Sequence, residues 1–543
     1  MIGVVARESE HPAVREFFEL FKTPWEFHRP GVHYDVLICS NSPVPENNAR
    51  LLLVYGAQRQ AFEEDRRLKT RLARSHTSVS FHGERIPIYR GCLFFEGAGK
   101  KVLVHEGTNT AAALSVASDD QVVVRLGFDL FDEINHLLTQ GQPAEFANIP
   151  TLELQISLLR ELIVGQGVIL VEILPLPAGH RFTVCLTHDV DHAGVRDHKC
   201  DETMFGFLYR ALIGSVINFF RGRKSLRQVA VNWKAALSLP LVFAGVAKDF
   251  WKQLDRYLEI EKDLASTFFI IPTKGDPGID SRGRTRARRA SRYASIDIVD
   301  DVKKLLSANR EIAVHGIDAW RDSAKACGER EAIQEITGAG QIGVRMHWLY
   351  FDSQSPLTLE RAGFAYDSTF GYNETIGYRA GTTQVFKFPN ADHLLELPLN
   401  IMDTALFYPS YMNLSDQQGG AAMRPLIENA TRLGGVLTVN WHNRSLGPER
   451  LWDQPYRQLL DDLKRRNVWF ATASEAVSWF RKRRSASIQN VTHDGYTLRA
   501  RLFIDKANDN LPGLTVRVHT PAQRDGAFVD VTVDTSTEVQ VSV

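Results

Sequence analysis

Apolar positions along the chain change their pattern twice. Up to residue 178, "YDVLICS", "RLLLVYG", "KVLVHEG" and "QVVVRLG" read as strands, and "TLELQISLLRELIV" repeats its apolar residues at helical spacing. This alternation predicts an N-terminal α/β domain over 1–178. From 179 to 484 the alternation is more regular. "FTVCLT" and "STFFIIP" are strand-like, and "IDIVDDVKKLLSAN" sets Ile298, Val302, Leu305 and Leu306 on one helix face. "EIAVH", "QIGVRMHW", "LLELPL", "GVLTVNWH" and "VWFAT" follow, and the last helix opens on Thr472-x-x-Glu475, the spacing of a capping box. Repeated strand–helix units predict a parallel sheet or a β/α barrel. From 485 to 543, "TLRARLFI", "LTVRVHTP", "VDVTV" and "EVQVSV" alternate at strand period and predict a small β-sandwich-like domain. At that size, without disulfides, it is expected to lean on the barrel.

Two insertions interrupt the middle region. Residues 193–262 contain "FGFLYRALIGSVINFFRGRKSLRQ", apolar with basic residues at its end. The first reading is a helical subdomain packed on the barrel. The second is a basic amphipathic surface over 204–247 for peripheral contact with a membrane or a lipid-linked substrate. Residues 281–292, "SRGRTRARRASR", carry six arginines. A solvated loop is the first reading there, and a clamp for an anionic glycan or a phosphate the second.

Composition narrows the function classes. The 543 residues exceed one ordinary core, so two or three domains are expected. Lysine plus arginine equals aspartate plus glutamate at 64 each, so no global charge asks for nucleic acid. The five cysteines, Cys39, Cys92, Cys185, Cys200 and Cys327, form no C-x-x-C, which removes a zinc ribbon and a disulfide framework from the expectations. The first region has no phosphate loop, no G-x-G-x-x-G and no nucleophile elbow. The N-terminus lacks a basic start followed by a long apolar core, and "LSLPLVFAGVA" at 237–247 is too short to span a bilayer. The expected location is therefore cytoplasmic, with the inner face of the membrane as an optional contact.

Polar residues collect where strands of the middle region end, as catalytic groups do on the rim of a parallel barrel. Asp189 and Asp191 in "CLTHDVDH" point the same way if the strand continues. Two adjacent carboxylates repel unless a cation holds one of them, leaving the other as a base. His315 ends "EIAVH", with Asp318 three residues on; a helical turn there would put both on one face, as metal ligands require. Arg345 ends a third strand. It can serve neither as ligand nor as base, but can pin a carboxylate and keep it ionised. His347, two residues on, would face the same cavity, and His442 in "LTVNWHN" is placed for general acid–base work near neutral pH.

The ordered series T-x-D-x-D, H-G-x-x, R-x-x-W, Y-D-S-T, G-Y-R-x-G and W-H-N resembles the polysaccharide deacetylase superfamily, carbohydrate esterase family four, over about 179–484. The resemblance implies a distorted β/α barrel of the polysaccharide deacetylase type and a divalent metal, zinc first, that helps remove N- or O-acetyl groups from glycans. It implies that Asp189 is the catalytic base, Asp191 the metal-binding aspartate and His315 the first histidine of an H-x-x-x-H metal pair. It further implies that Arg345 pairs with the base, that His442 protonates the leaving group and that Asp403 in "LPLNIMDTALF" tunes that histidine. The chain departs from the family twice: Ala319 stands at the second metal histidine, and His347 at the proline of R-x-P. Asp318 or His347 could supply the missing ligand, and His347 is preferred.

The expected function is thus metal-dependent removal of an N-acetyl or O-acetyl group from a sugar in polysaccharide or glycolipid biosynthesis. The carbohydrate substrate would be nucleotide- or lipid-linked if the protein works inside the cell. Two other readings stay open: a degenerate, non-catalytic glycan binder of the same fold, fed by Ala319, and a hydrolase of another C–N bond.

Overall fold

The computed structural model describes residues 1–65, 68–74, 76–117, 121–494, 497–504, 510–520 and 528–542. The chain divides into two units, each assembled from separated segments. One joins 1–179 with 378–390 and 478–543; the other joins 180–377 with 391–477.

In the first unit, Ile2–Val5, Trp25–Phe27, Val36–Ser40, Leu51–Tyr55 and Val122–Leu126 pair in parallel. Val36–Ser40 and Leu51–Tyr55 are buried along their whole length, so they read as continuous apolar runs rather than alternating ones. The sheet continues as antiparallel strands from Ala111–Ala117 outward. Asp129 caps the helix Leu130–Thr139 by accepting from the amides of Phe131 and Asp132 at 3.1 Å each.

The C-terminal strands belong to this same unit. Leu514–His519 pairs antiparallel with Leu170–Ile173 on one side and Phe528–Val533 on the other. Ala486–His493, Thr497–Ile504 and Thr537–Ser542 form a second three-stranded sheet. A strand from before residue 179 thus completes the first of these sheets, and the six-residue alternation of Leu514–His519 cannot reveal which remote edge it will pair with. Parts of 485–543, among them 505–509 and 521–527, lie outside the described residues.

The second unit is built on parallel strands β1 (Thr183–Val190), β2 (Ser266–Ile270), β3 (Glu311–Gly316), β4 (Val344–Met346), β5 (Tyr366–Asp367), β6 (Leu395–Glu396), β7 (Ile401–Met402), β8 (Val436–Asn440) and β9 (Trp469–Phe470). Their order is β6-β5-β4-β3-β2-β1-β8-β7, with β9 pairing the start of β1. Strands β6 and β7, at opposite ends of this order, are joined by residues 397–400 alone. Five residue steps reach about 18 Å, whereas eight flat strands span about 34 Å. The sheet must therefore curl. Among the described residues β6 and β7 do not pair, so the expected barrel is an open half-barrel. The capping box at Thr472 is formed: the Thr472 amide donates to Glu475 at 2.8 Å and the Glu475 amide to Thr472 Oγ1 at 3.2 Å.

The 193–262 insertion is helical. Glu202–Leu208, the wider turn Tyr209–Gly214 and Ser215–Phe220 run on as one rod, and Leu226–Phe243 returns alongside it. By length and composition Glu202–Phe220 is long and apolar enough to cross a membrane.

Candidate active site

Strand alternation separates the two histidines and two aspartates of "CLTHDVDH". Thr187 and Asp189 share one face of β1, and Asp191 follows just beyond its end. His188 turns to the other face, where its Nδ1 meets the Trp441 carbonyl at 2.7 Å and its Nε2 lies 2.9 Å from Glu261. It is buried and paired, a packing residue.

Asp189 is buried and held from two sides. Arg345 Nη1 donates to its Oδ1 at 3.0 Å, and Asn440 Nδ2 donates to its Oδ2 at 2.7 Å. Arg345 is itself immobilised. It donates to Thr187 Oγ1 at 2.8 Å, to Ser368 Oγ at 2.9 Å and to the Ser368 carbonyl at 3.0 Å, and it lies over the Phe269 ring. Burial works against the Asp189 charge, but His315, Arg345 and His442 together hold its pKa below the ordinary aspartate value. Its Oδ2 is 3.9 Å from His315 Nε2 and 4.0 Å from His442 Nε2.

Asp191, His315 and His347 converge. Asp191 Oδ1 is 3.2 Å from His315 Nε2 and 3.3 Å from His347 Nδ1, and those two nitrogens are 3.0 Å apart. Asp191 Oδ1 is buried with no hydrogen-bond partner. The other ring nitrogen of His315, Nδ1, donates to the Arg345 carbonyl at 3.0 Å, which turns the Nε2 lone pair toward the group. Ligand atoms at tetrahedral zinc, about 2.0–2.1 Å from the ion, stand about 3.3 Å from one another. One carboxylate oxygen and two imidazole nitrogens at these separations fit a small divalent cation, with a fourth position left to water or substrate.

His347 reaches this position through an unusual turn. Trp348 and Leu349, directly after it, both have left-handed backbones, with φ of 64° and 52°. Neither residue type favours that region, so the turn is a strained one of the kind found at functional sites. Arg289 braces it, donating from Nη2 to the His347 carbonyl at 2.9 Å and to the Ile317 carbonyl at 2.6 Å. This one arginine of the 281–292 run is thus neither solvated nor a free clamp: it is buried, while its neighbours Arg286 and Arg288 are exposed at the cavity rim.

Asp318 does not join the group. Its Oδ2 accepts from Lys325 Nζ at 2.7 Å and its Oδ1 from the Ile279 amide at 3.0 Å. The expectation that His315 and Asp318 share a helix face fails because no helix starts there: β3 runs through Gly316, and the next helix begins only at Ser323, capped by Asp322.

His442 faces the cluster from the end of β8, its Nε2 3.8 Å from Asp191 Oδ2. Asp403 grips it twice, accepting from its Nδ1 at 2.6 Å and from its backbone amide at 2.8 Å. Ser445 also donates to Asp403. Burial disfavours a charged imidazole, yet Asp403, Asp191 and Asp189 raise its pKa to about 9. Burial lowers that of His347 to about 4, against the pull of Asp191, which keeps its ring neutral and free to ligate.

These groups open into a cavity of about 890 Å³, within the range of small-molecule sites, with Trp348, Tyr350, Tyr408 and Tyr411 on its walls. Sequence reasoning placed Asp189, Asp191, His315, Arg345, His347, His442 and Asp403, and the structure gathers all seven. It missed Asn440, although "TVNWHN" puts that residue on the same strand end as His442. It also missed Trp348 and Arg289, whose roles depend on a backbone turn that no pattern announces.

No protein-family model matches the chain. No curated protein matches it either. Among solved structures it is similar to a Mycobacterium smegmatis protein assigned as a polysaccharide deacetylase, at 18% identity and a TM-score of 0.36, over 59% of this chain and 99% of that one. It is similar to Puue allantoinase at 15% identity and a TM-score of 0.34, over 56% of this chain and 91% of that one. It is also similar to a CE4 family pseudoenzyme from Bacillus anthracis, at 14% identity and a TM-score of 0.25, over 42% of this chain and 62% of that one.

Proposed function

We propose that the protein is a metal-dependent hydrolase that removes an N-acetyl group, or an O-acetyl group, from a sugar. The observation that carries this reading is the pairing of a pinned carboxylate, Asp189, with a backed imidazole, His442, 4.0 Å apart beside a three-ligand cluster. Asp191, His315 and His347 would hold a divalent cation, zinc being the first candidate for that donor set. When bound, such an ion supplies Lewis-acid polarisation of the acyl carbonyl and acidifies water.

The chain's own residues divide the remaining work. Asp189 Oδ2, oriented by Arg345 and Asn440, accepts a proton as water oxygen adds to the acyl carbon. His442 carries a second proton on Nε2, besides the one its Nδ1 donates to Asp403, because the neighbouring carboxylates raise its pKa to about 9 and keep the ring protonated. It gives that proton to the departing nitrogen as the C–N bond breaks, yielding acetate and a free amine. An amine is a poor leaving group, so this acid matters most for amides. The aromatic walls suit stacking on a sugar ring, and the substrate class we favour is a nucleotide- or lipid-linked carbohydrate.

The non-catalytic reading rested on Ala319. His347 would provide a third ligand from a different strand end, which supports catalysis over simple binding. Hydrolysis of a different C–N bond would use the same groups. Metal content of the purified protein, followed by assays for acetate and for ammonia on N-acetylated sugars and on small amides, tests the proposal. Acetate release that Asp191→Ala abolishes is the expected result. A protein that binds no metal and releases neither product would overturn it.

A further inference from the structure

The helical insertion presents two apolar stripes that nothing in its unit covers. Phe205, Tyr209, Ile213, Ile217 and Phe220 recur every three or four residues on the first rod, and Phe220 is 81% exposed. Leu226, Trp233, Leu237 and Leu241, at spacings of seven, four and four, form a stripe on the returning helix, and Leu237 is 76% exposed. Spacing of this kind is normally a core face. Here the core faces are the opposite ones: Phe207, Ala211, Ala235 and Leu239 pack into a buried cluster with Val195 and Trp251.

Charge identifies what could cover the exposed face. From Thr203 to Lys248 the sequence has seven arginines and lysines and no aspartate or glutamate, in a chain that is neutral overall. Arg221, Arg223, Arg227 and Lys234 are exposed. Among the described residues none of these four is in an ion pair with a carboxylate. A second copy using the same face would set these four like charges against four. A spanning helix is also disfavoured, because one stripe of the 19-residue rod is already packed against protein. What suits an apolar face with a basic border, aromatic residues at its edge and a length of about 28 Å is the interface of an anionic bilayer.

We infer that residues 202–247 dock the protein on an anionic phospholipid surface, lying in the interface with both exposed stripes against the acyl boundary. A cavity of about 310 Å³ beside the hairpin shares Arg210, Tyr408 and Arg450 with the 890 Å³ cavity of the candidate active site. Docking therefore sets the mouth of that site at the height of lipid headgroups. The inference goes beyond the hydrolase reading, and its readout does not depend on turnover.

Vesicle flotation of the full chain tests it. Vesicles of phosphatidylcholine and phosphatidylglycerol in equal parts should carry the protein upward, and phosphatidylcholine alone or high salt should release it. Phe220→Ser with Leu237→Ser should weaken partitioning about tenfold or more, with thermal unfolding unchanged because both side chains are exposed. Arg221→Glu with Arg223→Glu should abolish the preference for anionic vesicles. Wild-type protein that stays with the soluble fraction would overturn the inference. So would a stable dimer in sedimentation that Leu237→Ser dissociates without any vesicle binding, since the face would then join two copies.

Discussion

His347 Nδ1 stands 3.0 Å from His315 Nε2, on the side of the His315 ring opposite its bond to the Arg345 carbonyl. Two imidazoles from neighbouring strands thus offer adjacent lone pairs beside the free oxygen of Asp191. Replacing His347 by alanine should lower metal affinity about 100-fold or more, since it takes a three-ligand set to two. Asp318→Asn should leave metal binding intact, because Asp318 is tied to Lys325 elsewhere. Metal competition with a chelating dye measures both. Equal losses in the two variants would contradict the assignment of His347.

Asp189→Asn should separate binding from turnover. The amide can still accept from Arg345 but can no longer take a proton. Metal content should stay near wild type, while kcat for acetate release falls about 10³-fold. Arg345→Lys should also lower kcat, because an ammonium cannot reproduce the contacts to Asp189, Thr187 and Ser368 together. Single-turnover acetate assays report both effects.

His442 and Asp403 act as a pair. His442→Ala should slow hydrolysis of an N-acetyl substrate far more than that of an acetate ester with a good leaving group, which needs little proton donation. Asp403→Asn should show the same selectivity at a smaller size, about 10²-fold, by releasing the ring from its fixed orientation. Comparing amide and ester kcat/KM in the two variants checks this. A uniform loss on both substrates would argue that His442 only shapes the pocket.

Acid should loosen the first unit through Glu172. This carboxylate is buried, receives Arg160 Nε at 2.7 Å and Nη2 at 2.8 Å, and lies 2.6 Å from His519 Nε2. Burial opposes its charge, yet Arg160 and His519 depress its pKa to about 2. An ordinary glutamate in the unfolded chain titrates near 4.3, so the stabilising contribution is complete above that pH and is lost as pH falls toward 2. It amounts to about 3 kcal/mol. Glu172→Gln should lower the unfolding midpoint at neutral pH and flatten its dependence on pH between 4 and 2. Thermal unfolding followed across that range provides the measurement.

The half-barrel and its rim were legible because both leave periodic marks. Apolar runs followed by Asp189, His315, Arg345 and His442 carry the order of strands and the end at which they meet. Asp403 was legible only through resemblance, since nothing local in "NIMDTALF" says that its carboxylate will accept from His442. Asp318 misled for the converse reason: three-residue spacing implies a shared face only if the backbone turns helical at once, and here it stays extended through Gly316. Trp348 and Leu349 show a further limit. A left-handed turn at two non-glycine residues is imposed by surrounding contacts such as those of Arg289, and local preference argues against it. The partner of the strand Leu514–His519, more than 300 positions away at Leu170–Ile173, was beyond any pattern of alternation.

That long-range pairing has a consequence for biogenesis. The unit that begins with the first residue also includes 378–390 and 478–543, whereas the unit around the candidate active site ends at 477. As the chain leaves the ribosome, the later-started unit has all its strands first, and the earlier-started one waits with an open edge at Leu170–Ile173 until the tail emerges. Premature stops after 477 would then spare the half-barrel and leave the opening segment as a target for chaperones and proteases.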